Sequence, residues 1–128
     1  MLVELMAKTW ILIGDGSHAR IFEADNAEQH PWQLVRKIDR EHSREKTDRN
    51  DSHGDHGEQG FARQLVGELE TGREKAMFAR LVLVASPKFL GQLRAELPAP
   101  LAACVVRSVD SDYTHMAQGE LVKHVDIS

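Results

Sequence analysis

The feature that most constrains the fold is an unbroken apolar run, Leu81–Ala85. A strand with one face in water alternates apolar and polar side chains, whereas a run that is apolar throughout is typical of a strand buried on both faces of a parallel sheet. Parallel strands need a crossover connection, usually a helix. Ser86 and Pro87 follow at once and suit the cap and first turn of a helix. The run therefore predicts a strand of a parallel sheet, buried on both faces, in an α/β domain.

Three further strands are expected before this run. Thr9–Ile13 is short, apolar and followed by an Asp-Gly turn, and His18–Ala24 comes directly afterwards, so the two predict an antiparallel hairpin. Gln33–Asp39 is a weaker third strand. A fifth and last strand is expected after the run, from Cys104 to Val109.

Helices are expected in three places, each from apolar residues at helical spacing. The first carries Phe61, Leu65, Leu69 and Ala76, the second carries Phe89, Leu90, Leu93 and Leu97, and the last places Leu121, Val122 and Val125 inward. The predicted order is βββ, long loop, αβαβα. Three antiparallel strands followed by two α-linked parallel strands give a mixed five-stranded sheet with helices packed on it, the topology of the ribonuclease-H-like folds. We expect one domain over residues 1–128, with a meander at 9–39 and an αβαβα part at 61–126.

Between the third strand and the first helix, residues 40–60 contain no aliphatic or aromatic residue. Such a segment buries too little apolar surface to offset the entropy lost on ordering. A mobile polar loop is predicted there.

Bulk properties exclude some classes of function. The formal net charge is −4, which does not suggest broad binding to nucleic acid or to an anionic membrane. The single cysteine, Cys104, cannot form an internal disulfide. Met1–Lys8 is interrupted by Glu4 and does not resemble a signal peptide, and no apolar run is long enough to insert into a membrane. A cytoplasmic location is therefore expected.

Three segments resemble a known bacterial family, the proteins required for attachment to host cells. They are Trp10–Glu23 (WILIGDGSHARIFE), Arg80–Arg94 (RLVLVASPKFLGQLR) and Val106–His115, which ends in Asp-Tyr-Thr-His. The resemblance runs from about Thr9 to Val125. The family name describes a phenotype and implies no particular reaction.

The order of elements also resembles the middle domain of the eukaryotic and archaeal class-1 translation release factors. In that family a Gly-Gly-Gln loop after the third strand contacts the peptidyl-tRNA end and positions a water for ester hydrolysis. Gly57-Glu58-Gln59-Gly60 stands at the matching place, with Glu58 where the second glycine belongs. A side chain there resists the close approach to RNA that glycine allows. The resemblance retains Gln59 as a catalytic candidate but argues against peptidyl-tRNA hydrolysis.

Two further groups of residues are candidate metal-binding sites. A candidate zinc or nickel site contains His53, Asp55 and His56, near Asp51, because these residue types bind such ions and are closely spaced here. A solvated loop that is rich in histidine explains the same residues, and we favour this second interpretation. Asp15 follows the first strand, and Asp110 and Asp112 follow the last, the placement of magnesium-binding carboxylates in ribonuclease-H-like nucleases. Turn and cap roles are the ordinary use of aspartate at such positions, and they are preferred here.

The candidate binding residues are Arg20, Gln59, Arg63 and Asp112. Arg20 and Arg63 belong to a basic strip that also contains Arg36, Lys37 and Lys88, although interleaved acids favour a solvated face. No cofactor is predicted. The leading hypothesis is a non-enzymatic intracellular binding or adaptor domain with an unknown protein partner. The alternative is an RNA- or ribosome-associated protein that uses the Gly57–Gly60 loop, with or without hydrolysis in the release-factor manner. The edge near residues 33–39 is open to pairing with a second copy, so a homodimer is also considered.

Overall fold

The computed structural model describes residues 8–25, 32–40 and 54–125. Five strands and four helices lie in these ranges. The strands are β1 (Lys8–Gly14), β2 (His18–Asp25), β3 (Gln33–Asp39), β4 (Arg80–Ala85) and β5 (Val105–Val109); the helices are α1 (Gly54–Glu74), α2 (Pro87–Glu96), α3 (Ala99–Ala102) and α4 (Gln118–His124).

The strands form one mixed sheet in the order β3-β2-β1-β4-β5. β1, β2 and β3 pair antiparallel, while β4 runs parallel to β1 and β5 parallel to β4. Residues 81–85 are all buried, as expected of a strand enclosed on both faces. The α/β class and the ribonuclease-H-like five-stranded sheet are confirmed.

One face of the sheet packs against α1 and α2, and we call it the α1/α2 face. The apolar side chains of α1 recur every four residues, which places them on one side of the helix. They meet the inward side chains of β1, β4 and α2 in a single buried cluster that includes Trp10, Leu12, Phe61, Leu65, Leu69, Leu81, Leu83, Phe89 and Leu93.

The opposite face, called the α4 face, is covered by α4 and Trp32. Ile11, Ile13, Phe22, Val82 and Val84 meet Trp32, Leu121 and Val125 there. Val122 was expected to point inward with Leu121, but it is 44% exposed because α4 is short and presents only one side to the sheet.

Helix α1 begins at Gly54, not at Phe61, so the prediction of a loop through residue 60 is wrong for residues 54–60. A helix whose apolar side is already docked can extend through polar residues, because each added residue gains a backbone hydrogen bond without a new nucleation cost. Glu58 adds negative charge near the positive end of the helix dipole. Residues 41–53 of the predicted loop lie outside the described residues.

The end of α1 turns the chain back onto the core. Ala76 has a left-handed backbone, with φ 56°. The Ala76 N–H donates to the Arg73 carbonyl, and the Met77 N–H donates to the Gly72 carbonyl, both at 2.9 Å. This pattern is a Schellman motif. It returns Phe78 to Trp10, with ring centroids 4.7 Å apart.

Among the described residues, β3 and β5 are the two edges of the sheet. Pairing of β3 with a second copy stays a prediction. None of the helices in the described ranges has the length and apolar character that crossing a membrane requires.

Candidate ligand-binding cleft

The turn between β1 and β2 is built around the Asp15 carboxylate. Its Oδ1 accepts hydrogen bonds from the backbone N–H groups of Ser17 and His18, at 2.8 and 2.7 Å. The Asp15 N–H donates to the His18 carbonyl at 2.9 Å. Asp15 thus closes the hairpin turn, the ordinary role expected for an aspartate before glycine, and one oxygen, Oδ2, is left for another partner.

That partner is Thr114, which connects the end of β1 with the segment after β5. The Thr114 hydroxyl lies 3.2 Å from Asp15 Oδ2 and also hydrogen-bonds Asp112 Oδ1. It has one hydrogen, so it donates to one carboxylate at a time. The Thr114 N–H also donates to Asp112 Oδ1, at 3.1 Å. The structure therefore brings together Asp15 and Asp112, two of the three carboxylates that the sequence placed after the first and last strands.

The Thr114 hydroxyl, more than any other group, holds the pKa of Asp112 below its usual value, and His115 adds to this effect. A carboxylate with a lowered pKa stabilises the fold at pH values above its ordinary pKa. That contribution is lost as the pH falls through the lowered value. Neutral pH therefore keeps the contact intact.

Arg20 holds the same segment against the sheet. We call residues 110–117 the Thr114 turn. Arg20 Nη2 donates to the carbonyls of Thr114 and Met116, both at 2.8 Å, and lies 3.4 Å from the Tyr113 carbonyl. Its guanidinium also lies 5.5 Å from the centre of the Phe22 ring. Burial lowers the pKa of Arg20. The predicted binding residue Arg20 is thus half-buried and spans β2 and the Thr114 turn.

A cleft of about 360 Å³ opens on the α4 face between the β2–β3 hairpin and the Thr114 turn. Its walls come from three parts of the chain that lie far apart in sequence. The polar side chains that line it are His18, Arg20, Lys37, Asp39, Thr114 and His115. His18 Nδ1 lies 3.0 Å from Asp39 Oδ1 and joins the first strand of the hairpin to the second.

The other predicted site residues, Gln59 and Arg63, lie elsewhere. Both reach Glu96 at the end of α2: Gln59 Nε2 donates to Oε2 at 2.9 Å, and Arg63 Nε donates to Oε1 at 3.3 Å. The hydrogen bond from Gln59, followed by that from Arg63, lowers the pKa of Glu96. Their side chains link α1 to α2.

Glu58 also has a packing role. A methyl group added at Gly16 would lie 2.5 Å from Glu58 Cγ, so this side chain rests directly on the β1–β2 turn. Glu58 Oε1 is 3.8 Å from Lys88 Nζ at the start of α2. Glu58 therefore joins α1 to two neighbouring elements, and Gly57–Gly60 is helical rather than a free loop.

Replacing Gly60 with alanine is expected to stabilise the protein by about 0.5–1 kcal/mol, since alanine favours a helix interior over glycine by that amount. A methyl group at Gly60 has no neighbour within 4 Å. Chemical denaturation measures the change. Gly67→Ala is the matched control, since Gly67 is also in α1 and its methyl group would be equally free. A gain for Gly67→Ala and none for Gly60→Ala would show that Gly57–Gly60 is not helical in solution.

The predicted metal ligands are divided by the start of α1. His53 lies outside the described residues, whereas Asp55 and His56 are in the first turn of the helix. Within the described ranges, no group of three or more histidine, cysteine, aspartate or glutamate side chains is arranged to hold an ion. The metal site at His53, Asp55 and His56 stays a prediction.

His18, Asp39 and His115 line the cleft, although they were not among the predicted site residues. His18 contacts Asp39 on the neighbouring strand, a pairing that no local pattern in the sequence indicates. The available signal was the Asp-Tyr-Thr-His motif, which contains Thr114 and His115. Its place beside the β2–β3 hairpin depends on the fold.

Comparison with known families gives a match to the model described as protein required for attachment to host cells. The match covers residues 39–125, more than half of the chain. It includes the Thr114 turn and all of α1. No curated protein sequence matches.

Solved structures give a similar fold in proteins of different sequence. An archaeal translation termination factor, aRF1, superposes with a TM-score of 0.55 at 9% identity, over 91% of this chain and 37% of the factor. The Aquifex aeolicus Ppx/GppA phosphatase gives a TM-score of 0.48 at 11% identity, over 81% of this chain and 36% of the phosphatase. The chain thus spans about a third of the length of each. The likeness to aRF1 shows a shared fold.

Proposed function

The chain belongs to the family of proteins required for attachment to host cells, and we propose that it works there as a binding domain whose ligand occupies the cleft. The observation that carries this proposal is the cleft itself, a concave site of about 360 Å³ with several convergent polar side chains. Small-molecule sites are typically cavities of roughly 300–1,000 Å³ with a few placed polar groups.

The walls of the cleft are held in place before any ligand arrives. Arg20 ties the Thr114 turn to β2, and Thr114 ties it to Asp15 at the end of β1. The contact between His18 and Asp39 joins β2 to β3. A site whose walls are already ordered loses less conformational entropy on binding. This arrangement supports a binding role.

We place this binding inside the cell. Cys104 is a free, partly buried thiol, and it is the one cysteine in the chain. A thiol with no disulfide partner suits a reducing compartment. An influence on attachment would then pass through a cytoplasmic partner.

The release-factor alternative has less support. Its proposed loop is helical, the Gln59 amide is bonded to Glu96, and Glu58 packs on Gly16. The shared fold with aRF1 is the observation that keeps an RNA or ribosome partner in the test below.

The proposal is tested by filling the cleft. Lys37 and Arg36 are neighbours on β3 whose side chains lie on opposite faces of the sheet, because side chains alternate along a strand. Lys37→Trp places an indole in the cleft, and Arg36→Trp places the same group on the α1/α2 face. Each variant is expressed in cells that lack the wild-type protein. We expect cells with Lys37→Trp to lose attachment to host cells and cells with Arg36→Trp to retain it.

Equal attachment by both variants, with both folded, would contradict a role for the cleft. Sedimentation with ribosomes at low salt provides the second arm. Co-sedimentation that weakens as salt rises, and that is the same for both variants, would favour the RNA-directed alternative.

A further inference from the structure

We propose that the cleft binds an anionic oxygen group, a carboxylate or a phosphoryl group, through the ammonium of Lys37. This inference rests on the proposed function, and it names the ligand chemistry of the same site. It is carried by the charge arrangement on the α4 side of the β2–β3 hairpin.

Lys37 lies directly opposite Arg20 in the antiparallel pairing of β3 with β2. Residues paired in this way share one face of the sheet, and two like charges so placed destabilise it. The Arg20 guanidinium is compensated by the carbonyls of the Thr114 turn. Among the described residues, nothing comparable compensates Lys37.

The remaining cations of the predicted basic strip contrast with Lys37. Arg36 pairs with Glu68 at 2.8 Å, Arg63 with Glu96 at 3.3 Å, and Lys88 with Glu58 at 3.8 Å. For Lys37, the described part of the chain supplies neither a hydrogen bond nor an ion pair. Within residues 8–25, 32–40 and 54–125 it is therefore the cation of this strip that is left for an external anion, and it lines the cleft.

The acidic groups around the cleft are already engaged. Asp39 contacts His18, and Asp15 and Asp112 both accept hydrogen bonds within the turns that they form. Arg20 and Lys37 are the cations of the cleft lining, and His18 and His115 are its imidazoles. The carboxylates keep the overall charge low, so an anion would be selected by local contact with Lys37 and not by a broad positive field.

His115, on the Thr114 turn, also lines the cleft, and an imidazole carries at least one N–H donor. An oxygen group bound at the Lys37 ammonium would have this imidazole as a further donor within the same cleft. A carboxylate and a phosphoryl group both accept such bonds. The uncompensated Lys37 ammonium favours an anionic group over a second cation or an apolar side chain.

The test measures thermal unfolding of the full chain with sodium phosphate or sodium acetate, each against sodium chloride at the same ionic strength. The variants are Lys37→Gln and Arg36→Gln, which remove one positive charge from neighbouring positions on opposite faces. At an anion concentration ten times the Kd, we expect the wild type and Arg36→Gln to gain about 4–6 °C in Tm. Lys37→Gln should gain less than about 1 °C. Without the anion, Lys37→Gln should be at least as stable as the wild type, because the like-charge pair is gone.

A response to phosphate alone identifies a phosphoryl ligand, and a response to acetate alone identifies a carboxylate. A response to both supports a site that accepts either anionic oxygen group. Equal gains in all three proteins, or no gain in any of them with either anion, would overturn the proposal. The attachment assay distinguishes failure of the proposed ligand class from failure of the proposed binding role. If Lys37→Trp abolishes attachment while no anion stabilises the protein, the ligand class is wrong and the binding role stands.

Discussion

Replacing Gly72 with alanine is expected to destabilise the protein by about 2 kcal/mol, although the same change in an open helix would be stabilising. Gly72 lies in the last part of α1, where alanine has the higher helix propensity by up to about 1 kcal/mol. Packing reverses this preference. A methyl group at Gly72 would lie 2.7 Å from two ring carbons of Trp10 and 3.2 Å from Phe78.

The Trp10 ring has no room to retreat. It is 4% exposed, and Phe78 lies against it. Overpacking of a well-packed core typically costs about 1–3 kcal/mol, and here the backbone of α1 would have to move away from β1. The change is measured by chemical denaturation and should lower the Tm by several degrees.

Gly67→Ala is the matched control, because its methyl group meets nothing within 4 Å. It should stabilise the protein. The cause of the Gly72→Ala effect is tested in a Trp10→Phe background, which shortens the ring at the point of contact. The penalty should fall there. An unchanged penalty would mean that the contact with Trp10 is not its source.

Replacing Arg20 with methionine is expected to cost about 2 kcal/mol and to loosen the Thr114 turn. The side chain donates to two carbonyls at 2.8 Å, and a hydrogen bond from a charged group contributes roughly 1.5–3 kcal/mol. Methionine keeps an apolar stem near Phe22 but supplies no donor. The freed carbonyls would have to take water.

Amide hydrogen exchange resolves this effect along the chain. Exchange should accelerate in residues 110–117 and in α4, while the amides of β4 stay protected up to global unfolding. Arg36→Met is the control, since it removes a charge of the same sign from an exposed ion pair worth less than about 1 kcal/mol. If Arg20→Met leaves exchange in the turn unchanged, Thr114 and Asp112 hold the segment without Arg20.

Local patterns were sufficient for most of the fold. The apolar run at residues 81–85 identified a strand enclosed on both faces, and the Asp-Gly pair after Ile13 identified the hairpin turn. Both signals come from neighbours in sequence. The start of α1 was not predicted, because its first residues carry no apolar periodicity. The helix begins at Gly54 and continues into the part, from Phe61 onward, that packs on the sheet.

The cleft depended on contacts that no local pattern contains. Lys37 faces Arg20 only because of the register of β3, which includes a bulge where β2 passes from Ile21 to Phe22. A bulge shifts the pairing of all later residues by one. Thr114 and Asp15 are 99 positions apart along the chain and meet through one hydroxyl. Gln59 and Arg63, chosen with Arg20 as one binding set, instead meet at Glu96.

The sequence by itself determined the five strands, three of the four helices in the described ranges, their order along the chain and the burial of β4 on both faces, because hydrophobic periodicity and turn residues act over a few neighbours. The tertiary structure alone decided which charged side chains are satisfied. In the sequence, Arg20, Arg36 and Arg63 are basic residues of the same predicted strip as Lys37. In the structure, each of the three arginines contacts a carbonyl or a carboxylate of a distant element. Lys37 lines the cleft opposite Arg20 because strand register and the Thr114 turn place it there. Charge satisfaction depends on distances of a few ångströms between remote segments, and those distances exist only after the chain has folded.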